Sequence, residues 1–144
     1  LKEQLIIETH RLEDLPQAAA KMLAFGRDYP VWLMNGEMGA GKTTLTIALC
    51  KALEVVDDPT SPTYSLVNEY RTKADQAVYH FDFYRIDEEE EAEEMGAEEY
   101  FYSGDFCFIE WSSMIPNLIP DRHLLVEIEA VDESHRLIKL TKNG

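Results

Sequence analysis

The chain has 144 residues, 45% of them hydrophobic and 28% charged, which is enough for a single domain over residues 1–144 with one core and too little for two ordinary domains. Its formal net charge of -15 opposes any polyanion, which argues against a direct grip on bare RNA or DNA or on an anionic membrane. No apolar run approaches the roughly 20 residues of a membrane span, and the opening LKEQLIIETH lacks the apolar stretch of a signal peptide, so the expectation is a soluble, cytoplasmic protein.

In chain order, QLIIET (4–9) is β-like, and Leu15, Ala18, Ala19, Met22 and Leu23 fall at helical spacing within 12–25, with Gly26 as a stop. VWLMN (31–35) is a short continuous apolar run, the pattern of a strand buried on both faces. A glycine-rich turn follows, then TTLTIALCKALEV, which reads as a helix with Leu45, Ala48, Leu49 and Leu53 on one side. Pro59 and Pro62 bracket a loop. SLVNEYRT and AVYHFDFYRI, separated by KADQ, predict a hairpin. DEEEEAEEMGAEEYFY predicts an acidic helix interrupted or capped at Gly96, with a solvated face, and its stretch 87–99 carries nine carboxylates. FCFIEW (106–111) is a second buried-type strand, and HLLVEIEAV and HRLIKLTK around DES predict another hairpin. Cys50 and Cys107 lack metal-ligand spacing and read as buried thiols. The order predicts an α/β P-loop nucleotide-binding sheet, mixed parallel and antiparallel and flanked by helices.

GEMGAGKTT (36–44) matches GxxxxGK[ST] without a gap, behind a predicted strand and at the start of a predicted helix. Gly36, Gly39 and Gly41 permit dihedrals that let backbone N–H groups close around phosphate oxygens. Glu37, Met38, Gly39, Ala40, Gly41, Lys42, Thr43 and Thr44 are therefore the candidate nucleotide-binding residues, with Lys42 reaching the β- and γ-phosphates and the Thr43 hydroxyl coordinating Mg²⁺. Such a site needs an acid at the end of a buried strand, and two compete: Asp82 after VYHF and Glu110 after FCFI. The more uniformly apolar run favours Glu110 for Mg²⁺ and leaves Asp82 as a second metal-side or water-orienting acid. Asp82 merely pairing with Arg85 is the bland alternative.

TKAD (72–75) imitates the guanine-reading [NT]KxD, but it precedes both acids, sits in a predicted hairpin turn, and no DxxG occurs in the chain. Adenine, hence ATP, is favoured by elimination, and the segment from Thr9 to Leu12 is the candidate neighbour of the base. A small-molecule kinase needs an acceptor pocket and usually a basic lid, whereas only Arg71, Arg85, Arg122 and Arg136 follow the loop, widely scattered. That reading and a nucleotide-binding module without turnover stay open as alternatives.

Four stretches together, GEMGAGKTT, SPTYSLVNEY (61–70), HFDFYRI (80–86) with the acidic run behind it, and FIEW (108–111), resemble the TsaE family of bacterial tRNA threonylcarbamoyladenosine biosynthesis ATPases over about residues 4–130. The resemblance implies a partner-dependent ATPase that binds ATP and Mg²⁺ and supports a TsaB–TsaD pair, with tRNA reached only through those partners. It assigns Lys42 and Thr43 to phosphate and metal and Glu110 to Mg²⁺, makes Asp82 and Trp111 important to activity and assembly, and places Thr60, Ser61 and Thr63 in a loop near the γ-phosphate. Two departures, Glu37-Met38 where the family often has Asp-Leu and Ser112 where it often has Pro, bear on loop shape rather than chemistry.

Overall fold

The strand at the centre of the molecule shows how the sheet acquires its two covers. In the computed structural model, which describes residues 1–63 and 65–144, β2 (Val31–Gly36) sends Trp32 and Met34 into one apolar cluster and Val31 and Leu33 into another. Successive side chains on a strand point to opposite faces, so a run with no polar position needs a layer on each side. The first face is covered by α1 (Leu15–Phe25) and α2 (Lys42–Ala52), which contribute Ala18, Ala19, Met22, Leu45 and Leu49. The second is covered by α3 (Glu89–Glu94), α4 (Ala97–Phe101) and the segment after β5 (Phe106–Glu110), through Ala92, Ala97, Phe101, Ile115 and Leu118. The expected single core is thus two apolar layers with the sheet between them.

Among the described residues seven strands form one sheet: β1 (Gln4–Thr9), β2, β3 (Val67–Arg71), β4 (Ala77–Asp82), β5, β6 (His123–Ala130) and β7 (Arg136–Asn143). Their spatial order is β1-β7-β6-β2-β5-β4-β3. The four central strands β4, β5, β2 and β6 are parallel, and the hairpins β3–β4 and β6–β7, with β1 on β7, add antiparallel pairs outside them. Both expected hairpins form, and so does the mixed sheet.

Several boundaries move for local reasons. Residues Leu12–Asp14 form a 3₁₀ turn and the α-helix starts at Leu15, with Pro16 in its first turn, where a missing N–H costs nothing. The strand expected to run to Ile86 ends at Asp82, whose Oδ1 accepts a hydrogen bond from the Tyr84 N–H at 3.0 Å and turns the chain. The acidic helix is divided at Gly96, which takes φ 80 between α3 and α4. In α3 the Glu91 carboxylate accepts from the Asp87 and Glu88 N–H groups, which hold it below the usual carboxylate range, and Ala92 faces the core while Glu90, Glu93 and Glu94 are exposed. The solvated-face reading of this segment holds.

Cys50 and Cys107 are free, fully buried, and pushed up to about 12 by desolvation. A thiolate is the reacting species. Neither cysteine should be modified by a chromogenic disulfide reagent at pH 8 in the native protein, and two equivalents should react on adding denaturant. Fast native-state labelling of either thiol would contradict this packing.

Candidate functional site

The parallel pairing brings the C-terminal ends of β2, β4 and β5 to one edge. Met34 lies beside Glu110 and Glu110 beside Asp82, so the two acids expected to compete occupy neighbouring register positions. From the end of β2 the chain turns through Glu37–Gly41 into α2. Gly41, just before the helix, adopts φ 106, a conformation open to glycine and strained for other residues. At Gly36 a Cβ would come within 2.8 Å of the Ile128 carbonyl oxygen on β6, so the close strand pairing there requires glycine.

The predicted site residues fall into three groups. Glu37, Met38 and Gly39 form the exposed crest of the turn, while Ala40 is buried. Gly41 and Lys42 start α2, and Thr44 on the same first turn faces solvent. Thr43 reaches across to β5: its hydroxyl lies 2.8 Å and 3.0 Å from the two carboxylate oxygens of Glu110. Glu110 is 2% exposed, whereas Asp82 is half-buried. The Lys42 ammonium donates to the Gly36 carbonyl at 2.8 Å and sits 3.8 Å from the Trp111 ring centroid. Burial pushes Lys42 below the ordinary lysine range, and the Glu110 and Asp82 carboxylates pull it back up. Trp111 itself holds φ 60, unusual for a bulky residue, and its ring packs on Tyr84 at 4.9 Å between centroids.

Two residues of the site were not assigned a role from the sequence. His80, fully buried on β4, meets Glu110 Oε2 with Nε2 at 2.5 Å, and its Nδ1 has no hydrogen-bond partner among the described residues. The clue was alternation: His80 and Asp82 lie two apart on a strand and therefore share a face. Arg136, on β7, donates from Nε to the Ala40 carbonyl at 2.8 Å and from its guanidinium to the Asp132 carbonyl at 2.7 Å, tying the glycine-rich turn to the last hairpin. Nothing local in the sequence announces that contact.

Other expectations separate from this cluster. The Thr60 carbonyl accepts from the Tyr70 hydroxyl and Asn68, and the Thr63 carbonyl accepts from Arg85 at 2.9 Å. Among the described residues the hydrogen bonds of Thr60, Ser61 and Thr63 do not reach Lys42, Thr43 or Glu110. Tyr64 of the SPTY stretch lies outside the described residues. Arg85 therefore braces the loop instead of pairing with Asp82. TKAD occupies the β3–β4 turn at the far end of β4 from Asp82, a strand length of about 16 Å away, too far to read a base bound at the glycine-rich turn.

Two concavities flank the turn. One, of about 480 Å³, is lined by Thr9, Arg11, Leu12, Ala40, Thr44 and Ile138 among others. The second, about 550 Å³, runs under the crest and carries Glu37, Glu127 and Glu129 on its walls. The first sets Arg11 and Arg136 against Glu13 and Glu133 over an apolar floor that suits a ring, whereas in the second three carboxylates outnumber Lys139 and oppose an anion.

Fold and site together define a class: three-layer α/β proteins with a functional edge at the C-terminal ends of parallel strands, where a glycine-rich turn enters a helix. The sequence model of the family described as Threonylcarbamoyl adenosine biosynthesis protein TsaE matches residues 9–138. A protein of Bacillus subtilis named tRNA threonylcarbamoyladenosine biosynthesis protein TsaE is 32% identical over 99% of this chain and 88% of its own length. One of the same name from Haemophilus influenzae is 40% identical over 72% of this chain, an alignment that spans 65% of that protein, just under two thirds. The crystal structure of Bacillus subtilis YdiB superposes with a TM-score of 0.76 at 28% identity, covering 100% of this chain and 88% of that one. The chain belongs to the TsaE family.

A buried carboxylate depends on its partners. His80→Leu should lower the unfolding free energy by about 3 kcal/mol, because among the described residues Glu110 then keeps only the Thr43 hydroxyl. Urea denaturation of His80→Leu and of His80→Leu/Glu110→Leu checks this, with the double substitution expected to recover most of the loss. Equal losses in both variants would mean that packing around His80, rather than the pair, carries the stability.

Proposed function

We propose that the protein is a partner-dependent ATPase acting in the threonylcarbamoyl modification of the adenosine beside the tRNA anticodon, in support of a TsaB–TsaD type pair in the cytoplasm. Family membership supports the pathway, and the observation that carries the chemistry is the convergence of Lys42, Thr43 and Glu110 on the end of the glycine-rich turn. In this reading the N–H groups of Gly39 to Thr44 and the N-terminus of α2 surround the phosphates, and Lys42 leaves the Gly36 carbonyl for the β- and γ-phosphate oxygens. The desolvation of its ammonium favours that exchange, since an anion restores what burial removed.

The hydroxyl of Thr43 and the carboxylate of Glu110 form an all-oxygen donor pair that fits a hard cation, and these two would hold Mg²⁺. When bound, that ion neutralises charge on the phosphate oxygens. His80 holds the Glu110 carboxylate in place from behind, and the less buried Asp82 orients the attacking water. The cavity beside Ala40 and Thr44 receives the adenine, with Thr9, Arg11 and Leu12 forming one wall.

Arg136 is committed to the carbonyls of Ala40 and Asp132 and Arg85 to that of Thr63, while Arg11 lines the cavity beside Ala40 with Glu13 and Asp14 next to it, so among the described residues no guanidinium is hydrogen-bonded at Thr43 or Glu110, where the transferred phosphoryl group would lie. An arginine supplied from outside is worth roughly 10³ to 10⁵ in rate. Slow turnover alone and acceleration by the partner pair follow. With a net charge of -15 the protein reaches tRNA only through a partner that holds it.

Calorimetry should show Mg·ATP binding to the unaltered protein and none to Lys42→Ala. Glu110→Ala should reduce Mg²⁺-dependent phosphate release far more than nucleotide affinity. Abolition by Asp82→Ala with Glu110→Ala unaffected would reverse the two roles. Capture of the TsaB–TsaD pair should require ATP rather than ADP, and capture independent of nucleotide would remove the proposed coupling.

A further inference from the structure

On the face of the β1–β7 edge opposite the 480 Å³ cavity, Glu8, His10 and His135 bring one ligand atom each to within 4.8 Å of one another. His135 Nε2 lies 3.1 Å and His10 Nε2 3.9 Å from the same carboxylate oxygen, Glu8 Oε2, and the two imidazoles stack with centroids 4.5 Å apart. We propose that these three residues form a binding site for a divalent transition metal of the Zn²⁺ type, distinct from the oxygen-donor site at Thr43 and Glu110.

The donor set points to that class of ion. Two imidazoles and a carboxylate suit zinc and its neighbours, whereas magnesium prefers oxygen ligands. A tetrahedral ion with bonds of about 2.1 Å requires donors about 3.4 Å apart, which the two distances to Glu8 Oε2 bracket, and the two imidazole ligand atoms lie within 4.8 Å of each other. The side chains of His10 and Glu8 are largely exposed and can make the remaining adjustment by rotation, while that of His135 is 25% exposed and anchors the set.

The backbone beneath the cluster is fixed in advance. The His10 N–H donates to Asp14 Oδ2 at 2.8 Å, and the His135 N–H donates to Asp132 Oδ1 at 2.9 Å. Strand register sets Glu8 opposite Leu137 and Thr9 opposite Arg136, so the loop residue His135 lies beside the end of β1. The overall negative charge of the protein attracts a cation to this face. An ion here would fasten the end of β1 to the last hairpin. Glu8 and His10 flank Thr9, and His135 precedes Arg136, both of which line the cavity, so the fastening would stiffen that wall.

The test needs only metal and protein. Titration of ZnCl₂ into the metal-free protein at neutral pH, followed by calorimetry and by imidazole resonances in NMR, should give one equivalent bound, with the His10 and His135 signals moving together. MgCl₂ at the same concentration should leave both signals in place. His10→Ala and His135→Ala should each weaken Zn²⁺ binding about tenfold or more, and the double substitution should abolish the one-equivalent event. Thermal denaturation without metal should be the same for the single variants and the unaltered protein, and a hundredfold excess of Zn²⁺ over its Kd should raise Tm by about 9 °C only where the site is intact. Absence of stoichiometric binding, or an affinity unchanged in the double variant, would overturn the proposal.

Discussion

A carboxylate taken almost wholly out of water is tolerated when its oxygens are engaged, and Glu110 meets that condition through the Thr43 hydroxyl on one side and the His80 imidazole on the other. The acid and its two partners come from three elements: the end of β5, the first turn of α2 and the middle of β4. The cluster can form only if α2 starts directly over the end of the sheet and if β4 and β5 are parallel and in the observed register. The geometry of the edge therefore depends on this one acid being satisfied, and the strand pairing is what makes that possible.

Around it the molecule distributes rigidity unevenly. The four parallel strands are covered on both sides, and their buried residues leave little room for movement. The glycine-rich turn has an exposed crest from Glu37 to Gly39 and is secured at its base by the Arg136 contact to Ala40. On the opposite flank, Arg85 and Tyr70 brace the loop containing Thr60 and Thr63 against the end of the sheet. The strand ends thus form a fixed floor, with the turn and the loop braced at its edges and open to solvent.

What could be read from the residues beforehand divides along sequence distance. The glycine-rich turn, the two hairpins and the break at Gly96 are local, and local chemistry identifies them. Glu110 and Asp82 were recognisable as strand-end acids, but that they are neighbours depends on the pairing of β4 with β5, which no local pattern specifies. His80 meets an acid 30 positions away and Arg136 a carbonyl 96 positions away; alternation puts His80 on the face of Asp82, but no local pattern brings either residue to its partner. The lysine-capping position of Trp111 depends on a left-handed backbone that its side chain does not predict. The two apolar layers were legible in the unbroken apolar run at 31–34, the pattern of a strand buried on both faces.

The tie between Arg136 and Ala40 bears on the order in which the protein matures. Chains emerge from the ribosome from the N-terminal end, and β7 is translated roughly a hundred positions after the turn it steadies. During synthesis the turn thus exists first as an unbraced segment, and β2 lacks its neighbour β6 until that later hairpin has been made. The finished shape of the turn is consequently a late product of translation, and a nascent chain released before residue 136 would carry the motif without the brace that completes it.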